Sequence, residues 1–304
     1  MMLQRFRKIN LLHYSLVTLS LTVLVILWGA YVRATGAGAG CGNHWPLCNG
    51  AIVPRQPLEE TLVEFTHRIS SGLAFLMVLG QWMLARQKFP SGHRVRIFAA
   101  LALVFMVLEA LIGAGLVLFD LVAFNTSIAR AVVGALHLLN TFLLLASISL
   151  LAASVSQTQD SQLVVTDVRG GLLIAGLLGM LLVGMSGSIT ALGDTLFPSE
   201  TFLLGFALDQ APDAHFLIRL RIWHPVVAVL TALLILAGIH LPSTGRTQAP
   251  SLQLGLTILV FIQLFAGVIN VLLLAPLWLQ MIHLLLADLI WIGLIVFINQ
   301  TQRQ

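Results

Sequence analysis

The chain has 304 residues, of which 58% are apolar and only 9% charged. Soluble domains carry about 25% charged residues, so this chain has too few charges to clothe a water-facing surface, and soluble function classes are excluded. The net charge of +4 is small and scattered over connecting segments, which gives no nucleic-acid footprint and reports membrane orientation instead.

Eight apolar stretches are long enough to cross a bilayer, which takes roughly 20 residues of helix. They cover 11–33, 62–85, 95–118, 128–153, 170–192, 216–240, 252–274 and 277–298. The first follows Arg5, Arg7 and Lys8 as a signal peptide would. Its apolar run exceeds the 7–15 residues of a signal core, so it is read as a retained anchor. The last two nearly touch, and Ala275-Pro276 separates them because proline cannot continue a helix. The expected fold is therefore all-α, a polytopic bundle of eight transmembrane helices.

Ten basic residues fall on one side of this arrangement: Arg5, Arg7, Lys8, Arg86, Lys88, Arg94, Arg96, Arg169, Arg246 and Arg303. The other side carries six, namely Arg33, Arg55, Arg68, Arg130, Arg219 and Arg221, most of them at helix ends. The positive-inside rule places both termini in the cytoplasm and the protein in the plasma membrane. The linkers near 154–169 and 241–251 are polar connectors. Two outer loops are long: 193–215 is acidic, and 34–61 holds Cys41 and Cys48. Two thiols cannot form a tetrahedral zinc site alone. In an extracytoplasmic loop a disulfide would persist and stiffen a cap, and free reactive thiols are the other reading.

The chain echoes itself. Glu64-Phe-Thr-His67-Arg68 is matched by Arg221-Ile-Trp-His224, and Glu109-Ala-Leu-Ile-Gly113 by Gln263-Leu-Phe-Ala-Gly267. Ala135-Leu-His137-Leu-Leu is matched by Met281-Ile-His283-Leu-Leu, with a looser pair at Gly29–Gly36 and Gly187–Gly193. Four matches in one order predict two four-helix units of the same orientation, 1–155 and 170–304, as in parallel membrane repeats.

An ionisable residue inside a membrane helix is costly and faces a bundle interior or cavity. One such histidine would be read as an interhelical hydrogen bond. Four of them, His67, His137, His224 and His283, recur in the repeated positions, each roughly 7–14 Å from the outer end of its helix at 1.5 Å per residue. Imidazoles from facing helices are natural axial ligands for haem iron, so two porphyrin sites are expected. Glu64 lies three residues before His67 on the same helix face, either as a partner of Arg68 or as an acid–base group beside a porphyrin. The matching position before His224 is Arg221, so the first site looks equipped for chemistry and the second for holding a haem. Glu109, matched by neutral Gln263, is read as polar glue between helices. Arg68, Arg130, Arg219 and Arg221 either pair with haem propionates or snorkel at the interface. His13, His93 and His240 are expected to be solvated, and His44 and His215 to lie in outer loops.

The run Gly29-Ala-x-Val-x-x-Thr-Gly-x-Gly-x-Gly-Cys41-Gly-x-x-Trp45-Pro-Leu-Cys48-x-Gly50, then Glu64-x-x-His67-Arg68, His137, His224 and His283, resembles the haem A synthases of bacteria and mitochondria. The similarity covers essentially the whole chain. It implies oxidation of the C8 methyl of haem O to a formyl group, giving haem A for cytochrome oxidase. By the resemblance, His67 and His137 ligate the substrate iron, Glu64 is the catalytic carboxylate, His224 and His283 hold a permanent haem b, and Cys41 and Cys48 form a disulfide. It further implies contact with haem O synthase and with a thiol–disulfide protein, and is compatible with a homo-oligomer. Pro225 stands where the family often has arginine, and the second outer loop lacks the cysteines some members carry. A dihaem electron-transfer cytochrome b is the competing class, and it predicts haem pairs near opposite faces.

Overall fold

The computed structural model describes residues 9–55, 57–155, 167–242 and 249–301. Of the basic residues used for orientation, Arg5, Arg7, Lys8, Arg246 and Arg303 lie outside these, as do most of the two polar linkers. Among the described residues all regular structure is helical, apart from one antiparallel bridge between Cys48 and Ala51. Ten α-helices follow in order: α1 (Leu11–Ala34), α2 (Glu59–Lys88), α3 (Arg94–Leu118), α4 (Ile128–Val155), α5 (Val168–Leu196), α6 (Phe202–Asp209), α7 (Phe216–Leu220), α8 (Trp223–His240), α9 (Pro250–Leu272) and α10 (Leu277–Thr301). With α7 and α8 counted as one span, eight are long and apolar enough to cross a membrane. The protein is a multi-pass membrane protein.

Polar residues set the helix ends. Asn10 accepts from the amides of Leu12 and His13 to start α1, Asp167 accepts from Gly170 to start α5, and Thr201 accepts from Leu204 to start α6. Glu59 and Glu60 occupy the first turn of α2 and Arg86 and Lys88 its last, which suits the helix dipole and carries α2 beyond its apolar stretch at both ends. Pro225 explains the joint between α7 and α8. It has no N–H to offer the Arg221 carbonyl, so Arg221 and Ile222 form a turn and the His224 amide meets that carbonyl instead, at 3.3 Å.

Helices α1 to α4 pack as a ring, each touching the next and α4 closing on α1. Helices α5, α8, α9 and α10 do the same. The rings meet where α4, α1, α5 and α10 touch, and α4 is the most buried of the eight spans. Without a hydrophobic driving force between helices in lipid, association rests on close packing and on hydrogen bonds between helices. The α5–α8 contact shows the first: a Cβ on Gly179 would lie 2.6 Å from Thr231 Oγ1, so only glycine admits this approach. The junction shows the second. Arg33 of α1 donates to Ala191 O (2.6 Å) and Thr195 Oγ1 (3.1 Å) of α5 and to Gln280 Oε1 (3.0 Å) of α10. Deeper in, the Trp291 indole of α10 stacks on Phe142 of α4 at 5.1 Å and donates to its carbonyl at 2.7 Å.

Trp291→Ala is expected to lower the unfolding free energy in mixed micelles by about 3 kcal/mol or more. Trp291→Phe keeps the ring and should cost only about 0.6 kcal/mol, a typical hydrogen bond within a membrane. Equilibrium unfolding by denaturing detergent measures both.

Candidate functional site

The loop after α1 folds down onto α2. Gly40 approaches so closely that a Cβ there would collide with the Glu60 carbonyl, and its own carbonyl accepts from Thr61 Oγ1 at 2.8 Å. Cys41 and Cys48 are joined by a disulfide and are fully buried beneath the loop. Within it, Asn49 returns its amide to Cys41 O at 2.9 Å.

Glu64, 3% exposed, lies directly under this cap. Its Oε2 accepts the Cys41 amide at 2.7 Å, and its Oε1 accepts from Arg68 Nη2 (2.5 Å) and Nε (3.0 Å). The remaining arm of Arg68 donates to His44 O and Leu47 O, both at 2.6 Å. One carboxylate and one guanidinium one helical turn apart thus clamp the disulfide loop to α2. The Glu64–Arg68 pairing read from the sequence is present, and the Cys41 amide is a partner that sequence reasoning missed.

The four intramembrane histidines lie on α2, α4, α8 and α10. His67 and His137 stand on helices across the first ring, and His224 and His283 on helices across the second. All four fall near the face that bears the disulfide loop. Counted from the starts of α2, α4, α7 and α10, they lie roughly 9–14 Å along their helices at 1.5 Å per residue. Each imidazole rests against a glycine of the helix before it in its own ring of helices. A Cβ at Gly29 would stand 2.9 Å from His67 Cε1, at Gly187 3.0 Å from His224 Cε1, and at Gly267 3.2 Å from His283 Cε1. Gly113 gives His137 more room, at 3.9 Å. The imidazoles of His224 and His283 are 6.5 Å apart between centroids and nearly perpendicular, at 79°. The Nδ1 atoms of His67, His137 and His283 are buried without a hydrogen bond.

The neighbours of the two pairs differ. Glu109 of α3 places Oε1 3.2 Å from His137 Nδ1, an ion-pair distance without the alignment of a hydrogen bond. It also joins α4 through Asn140 Nδ2 (2.5 Å) and Thr141 Oγ1 (2.6 Å), so Glu109 is interhelical glue as the sequence suggested. Its approach to His137 goes beyond that reading. In the second ring, Gln263 Nε2 meets His283 Nε2 at 3.3 Å, and Ser186 Oγ meets His224 Nδ1 at 3.0 Å. The glycines and the Glu109/Gln263 pair stand in the repeated motifs, which was the available signal for them. Ser186 carried none.

Arg221 does not approach a carboxylate on its own helix. It binds Asp194 at the end of α5 (3.0 Å) and Asp209 at the end of α6 (2.9 Å), pinning the second outer loop. Burial pushes the Asp209 carboxyl above the usual carboxylate range, opposed by Arg221. Arg130 donates to Ala123 O and to Asn125 O (2.8 Å), holding the α3–α4 loop, while Arg219 is exposed. Three histidines outside the pairs have local duties. His93 and His215 accept the first amides of α3 and α7, and exposed His240 bridges Thr257 and Gln253.

Fold and site together define an all-α, multi-pass membrane protein with His67, His137, His224 and His283 in four of its spans and a disulfide-bonded cap clamped to α2. The chain belongs to the COX15-CtaA family of cytochrome oxidase assembly proteins, whose model matches residues 13–295. It is 50% identical over 278 residues to a protoheme IX farnesyltransferase of Thermus thermophilus, a match covering 91% of this chain and 46% of that protein. It is 33% identical over 148 residues to the heme A synthase of Bacillus licheniformis, covering 49% and 46% of the two chains. To the heme A synthase of Alkalihalophilus pseudofirmus it is 41% identical over 108 residues, or 35% and 36%. The chain thus spans less than half the length of the Thermus protein it matches.

A hydrogen bond to a charged group contributes about 1.5–3 kcal/mol. Glu64→Ala should therefore speed exchange of the Cys41 amide roughly tenfold to a hundredfold, whereas amides in the middle of α4 should keep their protection. Hydrogen–deuterium exchange of the protein in micelles measures this.

Proposed function

We propose that this chain is a haem A synthase, an oxidoreductase that converts the C8 methyl of haem O to a formyl group. One observation carries the reading: two imidazole pairs stand across two helix rings near one membrane face, with a clamped carboxylate beside only one of them. The names of the heme A synthase relatives agree with it.

In this reading the chain divides into an N-terminal unit, 1–155, and a C-terminal unit, 170–304, matching the two rings. His67 and His137 hold the iron of haem O, and His224 and His283 hold a resident haem b. The second pair suits the group. Imidazole–metal bonds of roughly 2 Å on both sides of one iron bring ring centroids to about 6 Å, close to the 6.5 Å found. The glycines leave space beside each imidazole, and the unpartnered Nδ1 atoms are ones that a ligand or a neighbouring acceptor would satisfy. A bound haem b would supply one-electron relay.

Turning a methyl into a formyl group balances when water supplies the oxygen and the released electrons pass to an external electron acceptor, with protons released alongside. Glu64 is the acidic side chain placed to take the protons at the first site, and its contacts with Arg68 and the Cys41 amide hold it as an acceptor. Arg68, Arg130, Arg219 and Arg221 are the cations near the disulfide face available to propionates. Arg68, Arg130 and Arg221 already serve loops, so a propionate would share their donors, whereas Arg219 is exposed. The disulfide argues for an extracytoplasmic cap, hence cytoplasmic termini and a plasma-membrane location. It also makes a thiol–disulfide protein a fitting partner, and haem O synthase a fitting supplier of substrate.

The Thermus relative's name points to prenyl transfer, but this chain leaves more than half of that protein unmatched.

Co-expression with a source of haem O, followed by chromatographic separation of haems B, O and A, is expected to show haem A. Glu64→Gln should retain bound pigment yet lower haem A formation at least a hundredfold, within the range for loss of an acid–base group; unaltered haem A would remove Glu64 from its role. Gly187→Val, whose branched side chain starts against His224, should abolish the b-type absorbance of the second site, read in purified protein.

A further inference from the structure

Resting on the haem reading above, we infer that Glu109 is a positioning residue for His137 that lowers the reduction potential of the iron held there, a device that the second site, with neutral Gln263 in the matching place, lacks.

Glu109 and Gln263 occupy matching places, four residues before Gly113 and four before Gly267. Their chemistry is opposite. Glu109 brings a carboxylate to 3.2 Å from His137 Nδ1, the ring nitrogen left over when Nε2 serves as ligand. A carboxylate at the outer nitrogen raises the basicity of an imidazole ligand. A more basic ligand stabilises ferric over ferrous iron, and hydrogen bonding to axial ligands is one of the levers by which a protein sets haem potential.

The helix that carries His137 also holds the carboxylate in place. Asn140 and Thr141, three and four residues after His137, meet Oε2 at 2.5 Å and Oε1 at 2.6 Å. Both oxygens are thereby satisfied from α4, and Oε1 faces His137 Nδ1 from that fixed position. The residues three and four after His283 are Leu286 and Ala287, which offer no donor. A carboxylate at position 263 would thus lack the partners that Glu109 has. Instead Gln263 places its neutral amide Nε2 3.3 Å from His283 Nε2, while His283 Nδ1, the nitrogen that matches the one Glu109 faces, meets no acceptor and Gln263 Oε1 is buried and unpaired. Three coordinated differences, at the acceptor and at both residues that hold it, go beyond what helix packing alone requires.

The test is a potentiometric titration of the Soret and α bands in protein purified from haem-replete cells, with and without a co-expressed haem O source. Glu109→Gln preserves size and should raise the midpoint of the first site by about 59 mV, a tenfold change in the one-electron equilibrium. Glu109→Asp draws the carboxylate back from His137 by about one methylene and should raise the same midpoint by a smaller amount. Should Glu109→Gln fail to load or fold, Glu109→Asp decides alone: an upward shift supports the inference and an unmoved midpoint overturns it. Pigmented variants that both titrate like the parent overturn it while leaving the haem reading intact. A colourless parent protein overturns both.

Discussion

Within hydrocarbon, each polar atom has to be answered from inside the protein or left at a cost of several kcal/mol. The polar constellation near the disulfide face follows from this constraint. Glu64 and Arg68 answer each other and three main-chain groups of the cap. Arg33 is answered by α5 and α10, and Arg221 by Asp194 and Asp209. Three of the four imidazoles keep a buried Nδ1 without a hydrogen bond, and other buried groups such as Gln81 and Asp288 also leave side-chain oxygens unpaired. What sets the histidines apart is their recurrence at repeated positions, each against a glycine of the neighbouring helix, and this is why they carry the functional reading.

Much of this was legible in one dimension, and the reasons differ from place to place. The eight spans follow from apolar length alone. The ion pair of Glu64 with Arg68 follows from a spacing of four on a helix. The histidines stood out because imidazole is rare and costly in such helices. The glycines that seat them were visible in the repeated motifs but without a role, since spacing cannot show which side chain a missing Cβ makes room for.

Other features depend on how helices rotate against one another. Glu109 reads as glue because a carboxylate four residues before a glycine has no addressed partner in the sequence. Only the packing of α3 on α4 brings it to His137 as well as to Asn140 and Thr141. The second outer loop is a similar case. Its acidic residues were plain, but Pro225 breaks the span at Arg221 and frees that side chain to gather Asp194 and Asp209 from two other helices. One missing backbone donor reshapes a whole loop.

The two rings show how a shared scaffold can be given different chemistry with few changes. Both set histidines on opposite helices against glycine seats, so the proposed binding of a planar group between them would rest on features common to both. What separates them lies one contact further out. The first ring has acidic groups at Glu64 and Glu109, each held by donors from its surroundings. The second has Arg221, turned away toward the loop, and neutral Gln263 and Ser186 beside its imidazoles. Charge that the protein has already stabilised needs no reorganisation at the moment of reaction. In the proposed reading, a site with anions beside it and one with neutral neighbours would let one ring transform a porphyrin and the other keep one.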